Sequence, residues 1–176
     1  MYKYKYVTPA NFSDMFMASD GKYLTGLWFE GSNDEKKHRD NLIYKDLPIF
    51  KDTWLWLDEY FKGNSPSFTP LYKLDNLSPF RKQVTDIMLK IPYGKTVSYK
   101  DIADEIAKNN NISKMSSQAV GGAVGANPIC LIIPCHRVIG KNGNLTGYGG
   151  GLNNKKELLK LEKIKIKEQW CSFSLS

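Results

Sequence analysis

The stretch Pro128-Ile129-Cys130-Leu131-Ile132-Ile133-Pro134-Cys135-His136-Arg137-Val138-Ile139 limits the fold more than any other part of the chain. Its isoleucines suit a short buried strand, and Pro134 fixes the backbone where the run would otherwise continue. A thiol and an imidazole, Cys135 and His136, are therefore expected at a rigid strand end, which is a good platform for chemistry. In an extended segment adjacent side chains point to opposite faces, so the pair meets through a turn or through a bridging water, and the water is the expectation. Cysteine attacks as the thiolate, and a histidine that accepts its proton raises the thiolate fraction. The plain alternative is that Cys135 is a small buried hydrophobe.

A chain of 176 residues fits one large or two small domains with a real core. Three cysteines, Cys130, Cys135 and Cys171, form an odd, sparse set that points to a reducing compartment, with no Cys130–Cys135 bridge expected. Two distant histidines, His38 and His136, and no paired C-x-x-C leave a structural zinc little to build on, so no metal is expected. The N-terminal residues Met1 to Tyr6 alternate charge and aromatic without the apolar core of a signal peptide, and the expected location is the cytoplasm, or the nucleus in a eukaryote. The least polar run, 119–135, is broken by glycines and prolines and is a poor membrane span.

The net charge of +7 is uneven: residues 1–76 carry 10 Lys and Arg against 11 Asp and Glu, and residues 77–176 carry 15 against 7. A basic half beside a neutral one favours a polyanionic partner, nucleic acid first. The competing reading is a solvated lysine-rich surface.

Along the chain, Tyr2 to Val7 alternates as a strand would, and Phe12–Ala18 with Tyr23–Phe29 reads as a hairpin across Asp20-Gly21, so the N-terminal half begins as an antiparallel sheet. Pro48 to Tyr60 reads as a covering helix with Trp54, Leu57 and Phe61 on one face. Nothing in this half looks catalytic, and His38 is expected to be exposed. The turn-rich Gly63-Asn64-Ser65-Pro66-Ser67 connector, with Pro70 after it, places a domain boundary near Asn76.

Ser78 and Pro79 open a helix with Phe80, Val84, Ile87, Met88 and Ile91 on one face, ended by Pro92-Tyr93-Gly94. Ser98-Tyr99-Lys100-Asp101 is a capping-box start that puts Tyr99 in a helix's first turn. A further helix opens at Ser116 or Ser117, and its adjacent Gly121 and Gly122 imply either close backbone approach to a ligand such as DNA or tight helix packing. Helix, connector, helix in a basic half suggests helix-turn-helix, with Lys141-Asn142-Gly143-Asn144 as the hairpin of a wing. Gly147-Tyr148-Gly149-Gly150-Gly151 reads as a flexible loop that can turn backbone N–H groups toward a ligand. Asn153 or Asn154 caps a last helix, where Glu162 shares a side with Leu158 and Leu161. It either pairs with His136 or lies at the solvent edge.

Pro134-Cys135-His136-Arg137-Val138, preceded by Asn127-Pro128 and by Gln118-Ala119-Val120-Gly121-Gly122-Ala123, with Ser98-Tyr99 upstream and Gly150-Gly151-Leu152 then Glu162 downstream, resembles the O6-alkylguanine-DNA alkyltransferases. The match runs over residues 78 to 163, and its Pro-Cys-His-Arg-Val core is highly specific. The resemblance implies an α+β chain: an N-terminal ribonuclease-H-like small antiparallel sheet domain (1–76, with linker) and a C-terminal, mostly helical, winged helix-turn-helix domain (77–176) that binds DNA and accepts the alkyl group. It implies that Cys135 takes the alkyl group of O6-alkylguanine, or of O4-alkylthymine, in double-stranded DNA, once and without a cofactor. His136 would be the water-mediated base, Glu162 its anchor, Asn127 the brace of the turn, and Tyr99 the residue that rotates the phosphate and meets the leaving guanine. Val138, Tyr148 and Gly149 would line the pocket, and Arg81, Tyr99, Lys100, Gln118, Ala119, Gly122 and Lys141 would contact DNA. A monomer is expected.

Two positions depart from the pattern. Gln118 stands where the family usually has an arginine that fills the gap left by the flipped base, and brings no charge and less stacking area. Gly149 stands where a serine is usual, so backbone must suffice. The competing readings are a damage-sensing DNA-binding module with weak or no transfer, which the presence of Cys135 opposes, and a thiol hydrolase with a Cys-His-Glu triad, which the basic half opposes. The main reading leans on a Cys135 sulfur held ionised beside His136, whose far side Glu162 anchors.

Overall fold

The computed structural model describes residues 1–38 and 40–166, and Cys171 with the rest of the tail lies outside the described residues. Strands β1 (Tyr2–Tyr6), β2 (Met15–Ser19) and β3 (Leu24–Phe29) form the predicted meander, with the β2–β3 turn closed by Asp20 Oδ1 accepting from the backbone of Lys22 and Tyr23. The sheet is not purely antiparallel: β4 (Ile43–Tyr44) joins β1 in parallel, giving the order β3-β2-β1-β4. Every residue of β2 is buried, because both faces are covered. Helix α1 (Pro48–Phe61) lies on the inner face and buries Ile49, Phe50, Thr53, Trp56, Leu57 and Tyr60, a 3.6-residue stripe. On the outer face a small separate cluster of Phe16, Ala18 and Trp28 is roofed by the chain after β3.

His38 belongs to that roof rather than to the exposed surface expected of it. Its ring stacks on Trp28 at 3.9 Å and 18°, and burial, with Lys37 nearby, lowers its pKa to about 4. Gly26 makes the stack possible, since a Cβ there would lie 2.5 Å from the His38 ring.

The C-terminal half is built on α2 (Pro79–Met88), β5 (Val97–Ser98), α3 (Tyr99–Asn109), α4 (Ser117–Gly125), β6 (Val138–Ile139) and α5 (Leu152–Leu161). The predicted caps of α2 and α3 form: Ser78 Oγ accepts from Arg81 N at 3.3 Å, and Ser98 and Asp101 exchange bonds at 2.8 and 3.0 Å. Helix α2 stops at Met88, ahead of the predicted Pro92-Tyr93-Gly94 end. The two-residue parallel pair β5–β6 ties the start of the Tyr99 helix to the chain just after Cys135. Because β6 pairs upstream with β5, Lys141–Gly143 is an isolated turn with Asn142 at φ 60, not the hairpin expected there. Gly151, not Asn153 or Asn154, caps α5; the Asn154 amide is used instead on Gly150 O at 2.8 Å and Ser13 N at 3.2 Å.

The strand expected at Ile129–Pro134 is also absent. Only Ile129 pairs, bridging to Leu27, after which the chain curls through Leu131 at φ 67. The Asn127 side chain imposes the curl, donating to Ile129 O at 3.2 Å and Ile133 O at 3.0 Å while accepting from Ile129 N at 3.0 Å. An apolar run reads the same for a buried strand and a buried coil; one amide decides between them.

The free edge of β3 joins the two halves. Leu27 N donates to Pro128 O at 2.9 Å and Leu27 O accepts from Cys130 N at 3.0 Å, so the chain leading to Cys135 is hydrogen-bonded to the N-terminal sheet. One buried apolar cluster runs through both halves, from Met15 and Phe29 to Ile129, Ile133 and Leu158.

Candidate active site

Cys135, His136 and Arg137 form one tight 3-10 turn, entered through Pro134. The Cys135 sulfur lies under the surface, with 6% of the residue exposed, and both it and Cys130 are free thiols. Burial pushes the Cys135 thiol up from its ordinary value; Asp34 pushes the same way, while Asn127, Lys37 and Lys155 pull it down. Burial therefore works against the preformed thiolate expected from the sequence and favours the thiol form in the DNA-free protein. The reason is a nearly dry site that no single full positive charge dominates.

His136 is fully buried, and its Nε2 lies 2.7 Å from Glu162 Oε1. Glu162, at the end of α5, is 3% exposed, so of its two sequence readings the solvent edge is excluded. Burial alone would raise the Glu162 carboxyl, but hydrogen bonds and charge from His136 and Arg137 outweigh it and hold its pKa at about 2. Arg137 grips it with Nε at 2.9 and 3.2 Å and Nη2 at 3.0 Å, Gly94 N donates to it at 3.0 Å, and Tyr60 Oη donates at 2.8 Å. An ionised carboxylate only accepts. His136 Nε2 must therefore carry the hydrogen, and Nδ1 presents a lone pair with no protein partner among the described residues. Burial also lowers the His136 pKa, against the pull of Glu162, so the neutral ring is favoured at neutral pH, and the imidazolium charge that helps hold the Glu162 carboxyl down belongs to the acid range where that carboxyl titrates.

Tyr99, half-buried in the first turn of α3, donates to Thr146 O at 3.3 Å, and its phenol is pushed up by burial and by the nearby Cys135. It lines an open cleft of about 640 Å³ with Lys100, Gln118, Gly121, Lys141 and Gly147. Cys135 is not among the residues lining it, though Tyr99 is close enough to feel its charge. Gln118, Ala119, Gly122, Arg81, Lys100 and Lys141 are all exposed. A Cβ on Gly122 would meet nothing within 4 Å, and one on Gly121 would only touch Tyr99 at 3.8 Å, so tight helix packing is not the use of these glycines. Val138 and Tyr148 are buried, and the Val138 carbonyl accepts from Lys155 Nζ at 2.6 Å.

Four groups here were not named from the sequence. Tyr60, on the helix thought inert, also lies 3.2 Å from His136 Nε2. Lys155 is fully buried, and burial lowers its pKa to about 8. A signal for Lys155 existed, since Lys155, Leu158, Leu159 and Glu162 follow i, i+3, i+4, i+7 on one face. Asp34 and Lys37 come from the turn after β3: Lys37 Nζ donates to Asp34 Oδ1 at 2.5 Å and to Asn127 O at 3.1 Å. No local pattern marks them or Tyr60.

The family model described as 6-O-methylguanine DNA methyltransferase, DNA binding domain, matches residues 79–164. The methylated-DNA–protein-cysteine methyltransferase of Mycobacterium leprae is 44% identical over 152 residues, covering 86% of this chain and 87% of that protein. The chain belongs to this methyltransferase family. A relative in Haemophilus influenzae is 36% identical over 159 residues, 89% of this chain and 84% of its own. The Mycobacterium tuberculosis OGT, solved in complex with DNA, superposes with a TM-score of 0.77 at 36% identity over 93% of both chains. That likeness extends the family's mixed α and β architecture into the N-terminal half, which the family model does not reach.

Proposed function

We propose that the protein repairs DNA by direct transfer of the O6-alkyl group of guanine, chiefly methyl, to Cys135, once per molecule. The observation that carries this reading is the buried series Cys135, His136, Glu162, in which a thiol and a neutral imidazole share one turn and an ionised carboxylate holds the far ring nitrogen.

The guanine is rotated out of the duplex at a cost of a few kcal/mol and enters the space bounded by Val138, Tyr148 and Gly149. Because the resting sulfur is a thiol, deprotonation accompanies attack: the proton moves to His136 Nδ1 through a bridging water, and the imidazolium is stabilised by Glu162. Lys155 favours the sulfur's negative charge. The S–C bond forms as the C–O6 bond breaks, the electron pair leaves on guanine, and Tyr99 supplies or shares the proton that neutralises it. A thioether has no good leaving group, so the protein reacts once. Asn127 keeps the turn in register.

Helix α4 presents Gln118, Ala119 and Gly122 to the minor groove, where the absence of side chains on the glycines admits the sugar-phosphate walls, and Arg81, Lys100 and Lys141 meet phosphates. In this reading α3 and α4 are the two helices of a winged helix-turn-helix, the sheet half is ribonuclease-H-like, and the boundary lies near residue 76. The protein acts as a monomer on O6-alkylguanine and, second, O4-alkylthymine. Incubation with a duplex carrying O6-methylguanine should add one methyl mass, located by peptide mapping to Cys135, while an unmodified Cys135 would end the claim.

A further inference from the structure

The Gly147–Gly151 loop is wedged against the N-terminal half rather than free. Asp34 N donates to Gly149 O at 3.1 Å. A Cβ on Gly149 would overlap Asp34 Oδ1 and lie 2.8 Å from its Cγ, and one on Gly150 would lie 3.1 Å from Phe29 of β3. Asp34 is 4% exposed, and among the described residues its one charged hydrogen-bond partner is Lys37, which reaches on to the carbonyl of Asn127, the residue that curls the Cys135 segment. One ion pair thus touches both walls of the site, the loop at Gly149 and the turn at Asn127.

We propose that Asp34 and Lys37 are positioning residues for alkyl transfer: the Asp34 carboxylate occupies the space that a side chain at 149 would fill and fixes the pocket loop, and Lys37 holds that carboxylate neutralised beside Cys135. The inference rests on the alkyl-transfer reading above. It accounts for Gly149: glycine and Asp34 are one choice, made together, because a larger residue at 149 and the carboxylate cannot share the volume. It also accounts for an acid near a nucleophile that must become an anion. Asp34 opposes the thiolate and Lys37 favours it, and a buried carboxylate without its partner would be the worst of the combinations. The other groups acting on the sulfur are Asn127, Lys155 from α5, Tyr99 from α3, and Tyr148 and Cys130 from the adjoining chain; none of these is altered in the variants below.

The test reads Cys135 twice, by transfer from a benzylated guanine base and by labelling with iodoacetamide across pH. Wild-type failure in the first with normal labelling in the second would sink the alkyl-transfer reading and leave the pairing testable. Gly149→Ser should lose about tenfold or more in both rates, and Asp34→Ala/Gly149→Ser should recover most of it, a sign-reversing cycle that distance alone would not produce. Lys37→Met should move the labelling profile alkaline by about one pH unit, and Asp34→Asn/Lys37→Met should return it. Where Lys37→Met does not fold, the uncharged double variant decides: a wild-type profile upholds the pair, and an alkaline one shows that Lys37 acts alone. No rescue of Gly149→Ser by Asp34→Ala, or a Lys37→Met profile equal to wild type, overturns the proposal.

Discussion

The two halves of the molecule differ in charge, −1 against +8, and in what they bring to the site. Residues 77–176 carry the sulfur, the ring, the anchoring carboxylate and the cationic cleft. Residues 1–76 carry none of the proposed reacting groups, yet Tyr60 Oη sits on both His136 and Glu162, and the Asp34–Lys37 pair sits on both Gly149 and Asn127. One half supplies the groups of the proposed chemistry, and the other supplies contacts that hold them in place. The first kind leaves a motif. The second leaves only contacts.

The largest effect that would break this division is at the nucleophile. Cys135→Ser should abolish transfer with the fold intact, read as no mass gain from the methylated duplex; residual transfer would mean a second acceptor. Next comes Glu162→Gln, which leaves Arg137 without its anion. Transfer should fall by about 10²-fold or more and stability by roughly 3–5 kcal/mol, measured by urea unfolding. The wild type should show the same group in its acid limb: a carboxyl held at about 2 against an ordinary 4.5 contributes about 3 kcal/mol. That stability is present above pH 4.5 and is lost as the pH falls through 2.

In the N-terminal half the counterpart is His38. Its folded pKa of about 4 lies below the ordinary 6.5, so the unfolded chain binds the extra proton first. Stability should drop by roughly 2–3 kcal/mol between pH 6.5 and 4, and His38→Phe, which keeps the stack on Trp28, should flatten that interval. Tyr60→Phe tests whether the inert-looking half acts on the ring. A loss of about 1–2 kcal/mol with a several-fold slower transfer is expected, and no change in either would confine the reaction to the C-terminal half. Smallest are the phosphate contacts. Arg81→Ala or Lys100→Ala should each reduce the salt slope of DNA binding by about 1, whereas Lys51→Ala, in the other half, should leave it unchanged.

These contrasts explain what was legible. Ser78 and Ser98 predicted their helices because a cap is a local bond between residues three apart. Cys135, His136 and Glu162 were legible through a specific family pattern and through the oddity of an acid on an apolar face. The Ile129–Pro134 segment was misread because burial is visible in composition and backbone path is not; the Asn127 amide and the edge of β3 set the path. His38 was misread because a charged neighbourhood in sequence said nothing of Trp28 folding beneath it.

By itself, then, the order of residues marked Cys135, His136 and Glu162 as a candidate set, together with the capped helices and the basic half, since each depends on side-chain chemistry or on bonds spanning a few positions. Only the tertiary structure decided that burial biases the sulfur toward its thiol form, that His136 leaves Nδ1 unpartnered among the described residues, and that Gly149 faces Asp34. Those properties arise from desolvation and from groups far apart in sequence, Tyr60 with Glu162 and Asp34 with Gly149, and neither burial nor such a meeting exists until the two halves close on one another.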